Sequence, residues 1–238
     1  AFRWPWPDLL PDGWSLKGWM APGAGWAGAA LTTLCIGLLA TLISVALAVA
    51  WLEGEDRGRQ RRAGWAEMLV YLPLIVPQIA FLYGLNVALL RAGAGAGFWP
   101  TVWAHVLFVF PYVMIGLSDP WRALEPGIVR AAAALGASPW RRLWAVKLPV
   151  LLRPILTTAA VGFAVSVALY LPTLFLGGGR IVTLTTEAVT LASGSDRRVV
   201  GVLGVLQAAL PFAAYAAALG VPAILWRNRR GMTAGRAG

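Results

Sequence analysis

Only one histidine, His105, and one cysteine, Cys35, occur in this sequence of 238 residues. Two such ligands do not make a structural zinc site, which takes four, and a single cysteine forms no intrachain disulfide. Both lie in apolar runs, which predicts a small packing thiol and a hydrogen-bonded imidazole. Neither lysine, Lys17 or Lys147, follows a glycine, so no phosphate-cradling loop of the G-x-x-x-x-G-K-[ST] type is present. No nucleophile–histidine–acid set or carboxylate pair assembles from the remaining residues. What is left is binding chemistry. Gln78, Asn86, His105, Ser166, Tyr170, Thr173 and Gln207 are polar groups embedded in apolar sequence. In "SVALYLPTLF", Ser166, Tyr170 and Thr173 recur at helical spacings of four and three, on one face. Pro172 removes a backbone donor beside them and is expected to kink the helix. Interhelical hydrogen bonding is the simpler role for any one of these residues. Together, Ser166, Tyr170, Pro172 and Thr173 are candidates to line a path for a solute.

The second group is "RAAAALGASPWRRLWAVKLP", Arg130 to Pro149. Ile128–Leu135 is rich in alanine, the best helix former, and Gly136 stands where a left-handed cap belongs. Ser138 is an N-cap with Pro139 at the first helical position of a second helix running through Val146. Pro149 is expected to separate this unit from the apolar sequence beyond. A DNA-reading helix-turn-helix has a similar outline. Its recognition helix must enter a major groove about 12 Å wide, and this unit is flanked closely on both sides by apolar spans. The tether therefore disfavours DNA binding, whereas an amphipathic helix resting on anionic lipid remains open.

The elements that must position these groups follow from composition. The sequence is 59% hydrophobic and 13% charged, far from the balance of a soluble domain. Five runs approach the roughly 20 apolar residues that a membrane helix needs: Trp26–Trp51, Met68–Leu90, Trp99–Ser118, Leu148–Leu176 and Val200–Trp226. None has an acid in its interior, and Arg153 near the start of the fourth can snorkel to the interface. Trp26, Trp51, Trp99, Trp103 and Trp226 fall at or near span ends as an aromatic belt. The fold class predicted is an all-α membrane protein with five transmembrane helices.

The formal net charge of +10 is then a matter of topology. With the N-terminus outside, 14 of the basic residues fall on the inner segments and 6 on the outer ones. Excess basic charge in cytoplasmic loops selects this orientation. The loop 53–64, the segment 119–147 and the C-terminus are predicted to be cytoplasmic, and 177–199 external. The opening "AFRWPWPDLLPDGW" is no signal peptide; its export implies a preceding helix that this sequence does not contain.

The spacing of the basic unit resembles the cytoplasmic signature of type I ABC-importer permeases, E-A-A-x3-G-x9-I-x-L-P. Ala131, Ala132, Gly136, Val146, Leu148 and Pro149 occupy its positions, and Arg130 stands where the family has glutamate. "SVALYLPTLFLGGGRIVTLTTEAVTL" looks like the iron, thiamine and polyamine branch, including the YnjC-like permeases. The resemblance implies a permease lobe over 26–226, with an external segment 1–25, a coupling segment 126–149 and a basic cytoplasmic tail 227–238. It implies that the lobe lines a translocation pathway and that Arg130, Ala131, Ala132, Gly136, Ser138, Pro139, Trp140, Arg141, Leu148 and Pro149 meet a separate ABC ATPase subunit. Arg130 would there meet an acid or carbonyl oxygens, or turn outward to lipid phosphate. ATP and Mg would be bound by that partner and no cofactor by this chain. A substrate-binding protein would dock outside, with Glu187, Asp196, Arg197 and Arg198 as rim charges; a cap over the bundle is the equal alternative for that segment. A second lobe, identical, different or fused, would complete a multi-pass assembly in the bacterial inner membrane. The competing readings are a secondary transporter, which normally uses intramembrane carboxylates or broken helices, and a channel.

Overall fold

A computed structural model of the chain describes residues 2–3, 13–14, 17–20, 25–58, 64–192 and 197–225. Two short strands, β1 (Phe2–Arg3) and β2 (Gly13–Trp14), pair antiparallel, and a 3-10 turn follows at Lys17–Trp19. The other described elements are helical. Helix α1 (Trp26–Gly58) has 33 residues; at 1.5 Å per residue that is about 50 Å, against a hydrocarbon core of about 30 Å. Its last turns, Glu53 to Gly58, therefore stand clear of the apolar layer as helix, where the sequence predicts a loop.

Helix α4 (Phe98–Arg122) is the central element. Val102, Ala104, Val109, Val113, Met114 and Leu117 along it are fully buried. It packs against α1 and α8 (Leu152–Ala168), and α11 (Arg197–Leu225) covers the outside of α8. Small residues let these helices approach closely. A Cβ at Gly37 of α1 would lie 2.7 Å from the Phe163 ring of α8, so that contact admits only glycine without displacing the ring. Phe212 and Ile224 on α11 are 76% and 77% exposed, as residues facing lipid should be. Cys35 is also exposed, on α1, rather than a packing thiol in the core.

Among the described residues, three helices, Trp26–Gly58, Phe98–Arg122 and Val199–Leu225, are each long and apolar enough to cross a membrane. Two bent pairs raise the number to five if each is one span. The run Met68–Leu90 is not one rod. Helices α2 (Gly64–Ile75) and α3 (Gln78–Arg91) meet at 107°. Pro77 lacks the donor that would continue α2 and disfavours helical backbone at Val76 before it.

The predicted fourth span, Leu148–Leu176, is also divided. Helix α5 (Pro126–Ala134) leads through Gly136 to α6 (Pro139–Arg142), which passes into a π-helical turn at Leu143–Lys147 and then α7 (Leu148–Val150). The break before α8 falls at Leu151, two residues after Pro149, with a 73° change of direction. A second break, at Leu169 and Tyr170, separates α8 from α9 (Leu171–Gly177). Helix α10 (Leu184–Ala192) then leads towards α11.

Candidate functional site

The turn at the centre of the basic unit closes as its residues predict. Gly136 has φ +81°, its N–H donates to the Ala133 carbonyl at 2.9 Å, and the Ala137 N–H donates to the Ala132 carbonyl at 3.0 Å. This paired arrangement is the Schellman cap that glycine favours. The Ser138 hydroxyl accepts from the Arg141 N–H at 3.3 Å, with Pro139 as the first helical residue. A side chain at position 136 would lose the cap geometry, because left-handed backbone costs an ordinary residue about 1–2 kcal/mol.

What holds this unit to the bundle is a charge cluster that sequence reasoning does not identify. Lys147, in the π turn, has a side chain only 7% exposed. Its Nζ donates to Glu53 Oε2 at 2.6 Å and to Asp56 Oδ2 at 2.7 Å, both on the protruding end of α1. Arg57 Nε donates to Glu53 Oε1 at 2.8 Å, and Trp121 Nε1 at the end of α4 donates to Asp56 Oδ2 at 3.0 Å. Lys147 Nζ also lies 5.3 Å from the Trp121 ring centroid. A buried ammonium is tolerated only when paired and hydrogen-bonded, and the partners here come from two helices. The π turn, one residue wider than an α turn, is where this lysine is presented. The unit is thus clamped to α1 and α4 at one end of the bundle.

Beside the clamp lies a cleft of about 740 Å³ lined by Asp56, Arg57, Arg122, Arg130, Arg142 and Lys147, among others. The outer surface of the unit is apolar as well as basic. Leu135 is 89% exposed, Trp140 63% and Trp144 66%, and Arg57 stacks 4.8 Å over the Trp140 ring. Arg130, Ala131, Ser138, Pro139 and Arg141 are exposed, Ala132, Leu148 and Pro149 half-buried.

The polar residues within the bundle are gathered differently from the predicted stripe. His105 on α4 is buried, with Nδ1 2.7 Å from Ser166 Oγ and Nε2 2.9 Å from Thr173 Oγ1. It thereby bridges the break between α8 and α9. Ser166 and Thr173 do not share a face of one helix, because the backbone is extended at Leu169. Pro172 is a first-turn residue of α9, not a mid-helix kink. In a continuous helix the Ala168 carbonyl would accept from residue 172, which as proline has no N–H. The neighbouring Val167 carbonyl is satisfied by Thr185 Oγ1 at 2.7 Å. Irregular backbone at membrane depth persists only where protein covers it. Tyr170 is half-buried at the break and Pro172 is buried. Gln78, Asn86 and Gln207 do not join the His105 cluster.

At the other end of the bundle, α10 is pinned to α1. The Leu184 N–H donates to Thr33 Oγ1 at 2.9 Å, and Thr183 and Thr186 exchange side-chain and backbone bonds around the start of α10. Glu187 is half-buried in its first turn. Asp196 and the side chains of Arg197 and Arg198 lie outside the described residues. The ends of the bundle are distinct. The clamp and the basic unit occupy one, and α10 with the start of α4 occupies the opposite one.

Residues 57–228 match the family described as binding-protein-dependent transport system inner membrane component. The chain is 37% identical over 188 residues to the inner membrane ABC transporter permease protein YnjC of Escherichia coli K12, an alignment covering 79% of this chain and 35% of YnjC. It is 29% identical over 166 residues to the putative 2-aminoethylphosphonate transport system permease protein PhnV of Salmonella typhimurium, covering 68% of this chain and 62% of PhnV. It is 27% identical over 188 residues to the spermidine/putrescine transport system permease protein PotC homolog of Mycoplasma genitalium, covering 74% and 66%. The chain therefore spans about a third of the length of YnjC and less than two thirds of PhnV. These relatives are transport permease components, which favours that reading over a secondary transporter or channel. With its helical bundle, clamped basic unit and matched segment, this chain belongs to the family of binding-protein-dependent transport system inner membrane components, multi-pass proteins of the bacterial inner membrane.

Proposed function

We propose that the chain is one membrane lobe of an ATP-driven importer, and that residues 126–150 are the element through which a separate ATPase moves it. One observation supports this most directly. A short, doubly capped helix pair projects Leu135 and Trp140 outward while Lys147 fastens its base to Glu53 and Asp56. A projection that is stiff at its tip and tied at its base passes displacement to α1 and α4; a mobile loop would absorb it. ATP and Mg belong to the partner, and this chain contributes geometry and no bond-making chemistry.

A second lobe, whether identical, different or part of the same polypeptide, completes the pathway, because one lobe supplies a single wall. Tyr170, at the α8–α9 break, is the residue of this lobe proposed to meet solute. Ser166 and Thr173 support the break through His105, and Pro172 starts the helix beyond it. On the outer side α10, with Glu187, is the ledge proposed for an extracytoplasmic binding protein. Asp196, Arg197 and Arg198 would be rim charges that steer association more than they set affinity. That binding protein selects the solute; the relatives' names refer to 2-aminoethylphosphonate and to polyamines.

Co-expression with a candidate ATPase and binding protein, followed by purification through this chain, tests the assignment. The expected result is stoichiometric recovery of the ATPase and ATP-dependent uptake in proteoliposomes. Recovery of this chain alone, with solute flux that follows a proton or sodium gradient, would reject it.

A further inference from the structure

We propose that the basic cleft between the cytoplasmic unit and the ends of α1 and α4 binds the phosphate of an anionic phospholipid from the inner leaflet. The charges in the cleft do not balance. Glu53 and Asp56 are both taken by Lys147; Glu53 also accepts from Arg57, and Asp56 from Trp121. Arg122 reaches Glu55 at 3.5 Å. Arg130 and Arg142 line the same cleft and form no ion pair among the described residues. The Nε of Arg142 is buried and has no hydrogen-bond acceptor among the described residues. Unpaired guanidinium groups call for an anion, and the cleft, at about 740 Å³, has Arg130 and Arg142 in its lining and room for a phosphate group.

A second cleft indicates that the phosphate carries a lipid tail. A volume of about 350 Å³ shares Glu53 and Arg57 with the basic cleft and is otherwise walled by apolar side chains, among them Val49, Leu143, Trp144 and Leu148. It follows α1 back to Ala50 and Ala46, towards the apolar part of the helix. A basic recess joined to an apolar slot at the cytoplasmic boundary matches the two parts of an anionic phospholipid, and such recesses between transmembrane helices take these headgroups. Free phosphate would leave the apolar slot without purpose. An acidic side chain from a docked protein could meet Arg130 but would not fill the apolar slot along Ala46 and Ala50. The cleft shares Arg130 and Pro139 with the surface proposed for the ATPase, whereas the slot along Ala46 and Ala50 lies on α1.

The test uses the full chain reconstituted in an equal mixture of phosphatidylglycerol and phosphatidylcholine, then extracted in mild detergent, with the retained lipids quantified by mass spectrometry. Phosphatidylglycerol should be enriched in the wild type. Enrichment should fall by about fivefold for each arginine removed in Arg130→Gln and Arg142→Gln. Ala50→Trp fills the apolar slot while leaving every charge in place, and should also reduce enrichment. Arg91→Gln, at the opposite end of the bundle, should not. Unchanged enrichment in the Arg130→Gln/Arg142→Gln double variant would overturn the proposal. So would displacement of the lipid by inorganic phosphate, or full retention in Ala50→Trp, since either would make the site one for a free anion.

Discussion

Replacing Lys147 with methionine removes the charge and both hydrogen bonds while nearly preserving the length and apolar stem of the side chain. Breaking a buried ion pair by removing one partner costs about 3–5 kcal/mol, largely because the other charge is left uncompensated. The geometry here places the loss at the lower end. Glu53 keeps Arg57 at 2.8 Å, and Asp56, whose side chain is 47% exposed, keeps Trp121 and solvent. A loss of about 3 kcal/mol follows. It should fall on the local opening of the 126–150 unit more than on the bundle core. Hydrogen exchange read by mass spectrometry should show the amides of Leu143–Leu151 exchanging roughly a hundredfold faster, with α4 amides near Val109 and Val113 unchanged. Glu53→Gln in the same background should add much less than it does alone, because the two residues share one interaction. Arg57→Met is the control: its side chain is 38% exposed, and a pair so exposed is worth about 0–1 kcal/mol. Equal protection in Lys147→Met and wild type, or strict additivity with Glu53→Gln, would refute the clamp.

In a Cys35→Ser background, cysteines at Gly95 and Ala134 should label from opposite sides of the membrane, Gly95 from outside. Labelling of Ala134→Cys by an impermeant reagent in intact cells would reverse the topology. Gly136→Val forces a β-branched residue into left-handed backbone, at about 1–2 kcal/mol; it should abolish uptake while membrane insertion persists, and full uptake would remove the cap from the mechanism. His105→Leu leaves Ser166 and Thr173 without their shared partner and should loosen the α8–α9 break, seen as faster exchange at Leu169–Thr173. His105→Gln, which can still bridge one hydroxyl, should restore part of the protection, and equal exchange in all three proteins would reduce His105 to simple packing. Tyr170→Ala should lower substrate-stimulated ATPase activity and uptake together at wild-type expression, whereas unchanged uptake assigns Tyr170 to packing.

The cap at Gly136, Ser138 and Pro139 was legible in the sequence because its cause is local: backbone sign, a short acceptor and a missing N–H act within four residues. The apolar spans were legible for the same reason, through composition over a window. Their breaks were legible only in part. Pro172 pointed to the right region, but the break at Leu169 is completed by Thr185, 18 residues from Val167. The stripe of Ser166, Tyr170 and Thr173 looked continuous because its spacing is helical. The structure rearranges it around His105, which lies 61 and 68 residues from its two partners. The clamp joins Lys147 to Glu53 across 94 residues. Its only local signals are a lone lysine in "LWAVKLPV" and acids three apart in "EGED", and neither names its partner.

The central claim is that the tip of the 126–150 unit is where an ATPase takes hold. Leu135 is 89% exposed, the highest value among the large apolar side chains of the described residues, so a photo-crosslinking side chain placed there reads that contact directly. In membranes containing the full transporter, the account predicts a specific adduct with the ATPase subunit, whose yield changes when ATP and Mg are added. Adducts confined to lipid, or an ATPase adduct equally abundant from a probe at Gly95 on the opposite side, would contradict it.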